Sequence, residues 1–341
     1  MSKPRITIVG CGTVGTALGI AIRSVAGDVE IIGHDKDSAA ARRAEKLKAI
    51  DRSNWNLPAA CEKAQLIILA IPQDGIEPTL RAIAPDLIEG AIVTDTSILK
   101  APILDKAAHA APAHVAYISS DIVFAPERAV SLSNLNTLTP DVFKGAIWTL
   151  TPRAGTPSRD IDTLAGLAQS LGATPIFMDA VEHDGLRLSV ETLPYALSSA
   201  LMLAVSDDGA WRERKWMAGS AFERMTAQID MMQDGELVNT LLAQPGSTEH
   251  WLNTLIERII ALRDAVRAGD AETIKAMLAE AHERRLQWLT DWHRGRNETA
   301  PPMPIEKPSL LSSLIGARLA SRLQNPRPGG DQPGSKGKGK S

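Results

Sequence analysis

The 341-residue sequence predicts an α/β protein, with a doubly wound, mainly parallel sheet in its first half and helices alone in its second. Three observations carry this reading. Short β-rich runs alternate with helical patterns up to about residue 180, a glycine-rich turn joins the first run to the first helical pattern, and strand signals stop near residue 183. Such alternation calls for parallel strands joined by crossover helices.

The first run, RITIV at 5–9, leads directly into Gly10-Cys11-Gly12-Thr13-Val14-Gly15. The pattern after it places Val14, Leu18, Ala21, Ile22 and Val25 on one face at a 3.6-residue period, as a buried helix requires. A second run, VEII at 29–32, ends just before Asp35, which lies 20 positions after Gly15. In a strand–glycine–helix unit the first glycine permits the tight turn, and the second lets backbone approach a pyrophosphate. The third allows the helix to pack on the strand, while unpaired amides at the helix N-terminus attract the anion. Asp35 is placed to accept hydrogen bonds from the adenosine ribose hydroxyls. Strand, glycines, helix and acid in this order predict a Rossmann-type dinucleotide site at Gly10, Cys11, Gly12, Thr13, Val14, Gly15 and Asp35. A carboxylate repels a 2′-phosphate, so Asp35 favours NAD. Lys36, Arg42 and Arg43 lie nearby and keep NADP as the alternative.

Further strands are expected at LIILAI (66–71), AIVT (91–94), VAYIS (115–119), AIWTL (146–150) and TPIFM (174–178). Their weak polar alternation predicts helices on both faces of the sheet. Ile71 and Pro72 close one run, and Thr94-Asp95-Thr96-Ser97 closes another. Loops at strand C-termini line the ligand crevice of open α/β sheets, so Ile71, Pro72 and Thr96 are expected at the cofactor.

In the second half, Leu252, Leu255, Ile256, Ile259, Leu262 and Val266 form one apolar stripe, and Ile274, Met277, Leu278 and Ala281 another. Gly269-Asp270 between them suits a helix stop followed by a new N-cap. The stripes exceed what a small bundle needs and predict a homodimer core. The chain accordingly divides into a dinucleotide-binding domain (1–182), a helical substrate and dimerisation domain (183–296) and a Pro/Gly/Lys-rich tail (297–341). Within the tail, PPMPIEKP (301–308) and residues 326–341 lack the composition of a folded segment, while SLLSSLIGARLASRL (309–323) patterns as a short amphipathic helix with basic residues, expected to dock on the protein's own body, with a membrane surface as the alternative.

A net charge of −3, from 37 basic and 40 acidic residues, gives no basis for a nucleic-acid partner. Cys11 and Cys61 read as reduced thiols. The N-terminus lacks a signal-type apolar stretch, and no window approaches about 20 uninterrupted apolar residues. A cytoplasmic protein without a membrane partner is expected. His34, His109, His114, His250, His282 and His293 show no metal-ligand spacing, so no metal is expected.

An ordered set of segments carries a family resemblance: GCGTVG, IILAIPQ, TDTSILK (94–100), FKGAIWTLTP (143–152), MDAVEHDGL (178–186), the Leu193-Pro194 pair and GSAFERMT (219–226). Together, over roughly residues 5–295, they resemble the prephenate/arogenate dehydrogenase family. The resemblance implies a Rossmann domain with a helical dimerisation domain. It also implies NAD(P)-dependent oxidative decarboxylation of a cyclohexadienyl carboxylic acid on the route to tyrosine. The family's His-Pro pair, whose imidazole takes a proton from the ring hydroxyl as hydride leaves the same carbon, falls on Asp121 and Ile122. Its Ser-His-Leu-Pro-His motif becomes Glu191-Thr192-Leu193-Pro194-Tyr195, its carboxylate-gripping arginine falls on Ala227, and its serine falls on Ile98, with Ser97 one place early.

A positioned base is worth about 10²–10⁴ in rate, and a charge-assisted bond to a carboxylate roughly 1.5–3 kcal/mol. Replacements are therefore required. Asp121 is the candidate base, with desolvation raising its pKa into a useful range. His183, paired with Asp184, and Ser97 are the other catalytic candidates. Arg224, three residues before Ala227 on the same helical face, and Arg187, one turn beyond His183, are candidate substrate binders, with Tyr195 lining the pocket beside Glu191 at i,i+4. Each has a plainer alternative: a turn cap for Asp121, a solvated face for Arg224, a domain-junction bond for His183-Asp184 and a structural pair for Glu191 and Tyr195. Two further readings stay open: a dinucleotide-binding protein of this fold without this chemistry, and a dehydrogenase for another small hydroxy acid.

Overall fold

The computed structural model describes residues 3–129, 132, 134–230 and 234–294. The predicted tail, including its 309–323 helix, lies outside the described residues. Eight strands form one sheet: β1 (Arg5–Val9), β2 (Glu30–His34), β3 (Arg52–Ser53), β4 (Leu66–Leu69), β5 (Ile92–Asp95), β6 (Ala116–Val123), β7 (Ile147–Pro152) and β8 (Thr174–Phe177). Their order is β3-β2-β1-β4-β5-β6-β7-β8, parallel except where β7 runs against β6. The helices α1 (Thr13–Val25), α2 (Ser38–Lys46), α3 (Leu57–Cys61), α4 (Gln73–Ile83), α5 (Ala101–Ala110), α6 (Pro126–Ala129) and α7 (Ser158–Ser170) belong to this part.

Both faces of the sheet are covered, as the unbroken apolar strands require. One core gathers Ile6, Ile8, Ile31 and Trp148 with Leu18 and Ile22 of α1 and Leu164 and Leu167 of α7. The other gathers Val9, Ile67, Leu69 and Val93 with Ile76, Leu80 and Ile83 of α4 and Ile103 of α5. Each such side chain contributes about 1.5–3 kcal/mol when fully buried. The chain leaves β1 to one side for β2 and β3, and returns to the other side at β4. The crevice at that reversal, outside the strand C-termini, is where ligands sit in such sheets.

Two local expectations need correcting, and one strand left no signal in the sequence. Val25 is exposed, because α1 faces the sheet through Ala17, Leu18, Ala21 and Ile22, and Ala26 rather than Val25 closes its buried end. β3 is only two residues long, too short to leave a hydrophobic period. β6 continues to Val123 instead of ending at Ser119, so Asp121 lies inside a strand paired with Thr149 and not in a turn after it.

From Ala180 onward the described chain is helical. α8 (Ala180–Arg187) runs through a π turn at Leu188–Thr192 into α9 (Leu193–Ser206), and α10 (Trp211–Met217), α11 (Ser220–Thr226), α12 (Asp234–Ala243), α13 (Pro245–Ala268) and α14 (Ala271–Arg294) follow. Gly269 adopts φ +65° after α13, and Asp270 Oδ1 accepts the Thr273 amide at 3.0 Å, the stop and cap read from sequence. The continuous helix 180–206, of mean hydropathy 1.4, is long and apolar enough to cross a membrane by length and composition. Glu182, Asp184, Arg187 and Glu191 interrupt the apolar run in its first half, and Asp184 and Arg187 bind it to the sheet part.

Candidate active site

Gly10 leaves β1 with φ +96°, and a Cβ there would lie 2.1 Å from the Ala70 carbonyl oxygen. A Cβ on Gly15 would lie 1.9 Å from the Gly10 oxygen. Both positions therefore exclude every side chain. Gly12 is different: nothing stands within 4 Å of where its Cβ would be, and it opens α1 without a side-chain cap. Free amides at Thr13 and Val14 with clear space above them fit a pyrophosphate. Asp35 follows β2, its Oδ2 accepting the Cys11 amide at 2.7 Å and its Oδ1 the Asp37 amide at 2.7 Å. The carboxylate is thus fixed against the glycine turn. Cys11 offers this cradle backbone alone, since its thiol is buried; burial, with Asp35 and Glu45 nearby, pushes it up to about 12. Ile71 and Pro72 follow β4, and Thr96 follows β5 with its amide on Leu69 O at 3.2 Å. The residues present fit a bound dinucleotide.

Further along the same edge, Lys100 is wholly buried. Its Nζ lies 3.1 Å from Asp95 Oδ1 and donates to Ser120 O at 2.6 Å and Ser119 Oγ at 3.1 Å. Tyr117 donates its hydroxyl to Asp95 Oδ2 at 2.7 Å; burial, then the neighbouring Asp95, keeps that hydroxyl protonated. Ser97 donates its hydroxyl to Asp95 Oδ1 at 2.5 Å, so the structure commits it to this network. Buried charges persist only when paired and hydrogen-bonded, and this lysine is both.

The helical part joins the network through Asp184. Its two oxygens accept the amides of Lys100 at 2.7 Å and Ala101 at 2.9 Å, capping α5 across the junction. Asp184 Oδ1 also lies 3.1 Å from His183 Nδ1. On the other side of the ring, His183 Nε2 is 3.3 Å from Asp121 Oδ2, and Arg187 Nε is 2.8 Å from the same oxygen. These two approaches are ionic contacts without hydrogen-bond alignment, so Asp121 Oδ2, His183 Nε2 and Arg187 Nε keep directional bonding capacity. Arg187 Nη1 reaches Glu191 Oε2 at 3.3 Å.

Electrostatics corrects one expectation. Burial alone would raise the Asp121 carboxyl, but Arg187, His183 and Lys100 outweigh it and hold that carboxyl below the ordinary range. Burial would likewise lower His183, yet the carboxylates of Asp121 and Asp184 overcome it and hold the imidazole above its ordinary value. Burial is outweighed at Arg187 too, by Asp121 and Glu191, so it stays charged.

The structure brings together Asp121, His183 and Arg187, with buried Tyr195 two turns along from Arg187 on the same run of helix. Glu191, at the end of the π turn Leu188–Thr192, accepts from Arg187 Nη1 four residues earlier. Arg224 does not join the group. It is exposed on α11, whose inner side is set by Phe222 against Trp211 and by Thr226. Lys100, Tyr117, Ser119 and Ser120 escaped the sequence reading; a charged residue ending TDTSILK, directly before an apolar helix, was the available signal. Among the described residues no group of three or more His, Cys, Asp or Glu could hold a metal.

Comparison with known proteins adds independent findings. The family model for the prephenate dehydrogenase nucleotide-binding domain matches residues 18–177. The chain is 26% identical over 298 residues to the prephenate dehydrogenase of Lactococcus lactis subsp. cremoris, covering 85% of this chain and 78% of that protein. It is 24% identical over 292 residues to the cyclohexadienyl dehydrogenase of Zymomonas mobilis, covering 84% and 96%. Among solved structures, prephenate dehydrogenase from A. aeolicus in complex with hydroxyphenyl propionate and NAD+ superposes with a TM-score of 0.72 at 17% identity, over 84% of this chain and 99% of that one. Synechocystis arogenate dehydrogenase gives 0.65 at 19% identity, over 83% and 99%.

Proposed function

We infer that the chain is a member of the prephenate dehydrogenase family and an NAD-dependent oxidoreductase that oxidatively decarboxylates a cyclohexadienyl acid, prephenate or arogenate, on the route to tyrosine. The observation that carries the reading is the buried group Asp184–His183–Asp121–Arg187 on the strand edge that bears the glycine cradle. A dinucleotide held at the Gly10–Gly15 turn and Asp35 would supply the hydride acceptor for the ring carbon.

The chain's residues supply the rest. Asp121 and His183 act as one proton-accepting pair for the ring hydroxyl. Asp184 fixes the imidazole, because its fixed carboxylate takes Nδ1–H and leaves Nε2 directed at Asp121. Arg187, charged and only partly spent on Asp121 and Glu191, holds a substrate carboxylate. Tyr195 lines the wall behind it. Ser97, Asp95 and Lys100 hold the strand ends in place beneath the pair. Arg224, exposed in one copy, belongs to the substrate site only if that site is completed from outside this chain.

The division at residue 183, a homodimer formed through the helical part and a cytoplasmic location complete the reading. Support for the dimer comes from Ile256 and Ile259, 50% and 52% exposed on α13. Incubation of the purified chain with NAD and either acid, followed by the absorbance of reduced cofactor, tests the reaction. Reduction dependent on the acid is expected; none with either acid overturns it.

A further inference from the structure

Trp55 lies in the loop from β3 to α3 and is 88% exposed, more than any other large apolar side chain among the described residues. The backbone that carries it is pinned. Asn54 donates its amide to Gly33 O at 2.9 Å, and its carbonyl oxygen meets His34 Nδ1 at 2.9 Å. The Asn54 side chain accepts the Asn56 amide at 3.0 Å, and the Asn56 side chain accepts the Ala59 amide at 3.1 Å. Ser53, just before, gives its amide to the Glu45 carboxylate. A hydrogen-bonded loop thus presents the indole face to solvent, where a flat apolar partner can stack on it.

Its place in the sheet says which partner. The parallel register pairs Ile32 with Arg52 and Gly33 with Ser53. Continued past the strand ends, it sets Asn54 beside His34 and Trp55 beside Asp35, about one 4.8 Å strand spacing apart. α3, which Trp55 introduces, packs against β1, β2 and α4. The loops after β2 and β3 therefore open side by side on the same strand-end edge, with Asp35 and Trp55 on adjacent strands there.

We propose that Trp55 is one wall of a purine subsite and stacks on the adenine of the dinucleotide whose ribose Asp35 holds. The inference rests on the dinucleotide reading and deepens it. The purine is attached to the ribose by a single glycosidic bond, so a ribose held at Asp35 brings the base within reach of an indole one strand away. Stacking on an aromatic face needs no hydrogen-bond complement to the base, and the open rim at Trp55 suits that mode of binding.

Titration of NADH and of ADP-ribose into the full chain and into its Trp55→Ala and Trp55→Phe variants tests the subsite. Trp55→Ala is expected to weaken both ligands by a common factor, about five- to a hundred-fold. Trp55→Phe should retain most of the affinity, and both variants should melt with the parent because the side chain supports no core. Undiminished NADH affinity in Trp55→Ala overturns the proposal, as does a loss for NADH that ADP-ribose does not share. A change in oligomeric state with nucleotide affinity intact assigns the indole to a second copy and also overturns it. If the parent chain binds neither ligand, the dinucleotide reading itself fails and the subsite with it.

Discussion

Arg187 Nε lies 2.8 Å from Asp121 Oδ2, across the junction between the first long helix and strand β6. Asp121 is buried and Arg187 mostly shielded, so the pair is decided by desolvation against mutual attraction. Removing one partner from such a pair strands the other charge and costs about 3–5 kcal/mol. Arg187→Met should therefore destabilise the protein by that amount in denaturant unfolding. Asp121→Asn combined with Arg187→Met should recover part of the loss, a non-additivity measurable in a double-mutant cycle. Strictly additive single losses would show that the two groups do not stabilise one another.

The pH dependence of kcat/KM should rise with pH through a pKa above about 6.5, the ordinary histidine value, because Asp121 and Asp184 favour the protonated His183 ring. The limb belongs to the Asp121–His183 pair as a unit. His183→Asn should remove the limb and lower the rate by about 10²–10⁴; a limb left in place would assign it elsewhere.

Stability should follow the same two groups with opposite signs. The raised pKa of His183 gives stabilisation that is fully present below about 6.5 and is lost as pH rises through the folded value. The lowered pKa of Asp121 gives stabilisation present above about 3.9 and lost as pH falls through its folded value. Thermal unfolding followed across pH should show both flanks, with the alkaline one absent in His183→Asn.

Gly12 and Gly10 should respond differently to alanine. Gly10→Ala places a methyl against the Ala70 carbonyl at a positive φ and should impair folding. Gly12→Ala meets open space and should fold normally. Its methyl would stand where the pyrophosphate approaches, and loss of one charge-assisted bond, about 1.5–3 kcal/mol, weakens NAD roughly ten- to a hundred-fold. Calorimetric titration beside a melting curve separates the two effects.

The apolar stripe on α13 should be the seam between two copies. Ile256→Asp with Ile259→Asp should shift the protein to a monomer in light scattering, since a carboxylate in an apolar interface is not tolerated without a partner. A dimer that survives both changes would place the seam on another face.

Wherever a role depends on residues close together in the chain, it could be read from sequence. The turn at Gly10–Gly15, the acid at Asp35 and the helix break at Gly269-Asp270 are all set by neighbours within one strand–helix unit, and periodicity exposes them directly. The site is different. Lys100 binds Asp184 across 84 residues, and nothing in either local pattern says that the two will meet. Asp121 looked like a base waiting to be raised by burial because its surroundings were unknown; Arg187 beside it reverses the sign. Arg224 looked equivalent to a nearby position on helical spacing, and only the packing of α11 turns it outward.

The chain alone thus determined the sheet-then-helix architecture and the anion cradle, because backbone sterics and hydrophobic period are local properties. The junction of β6 with α8 decided which groups are ionised and which face the crevice, because burial and charge pairing exist only once distant segments are brought together.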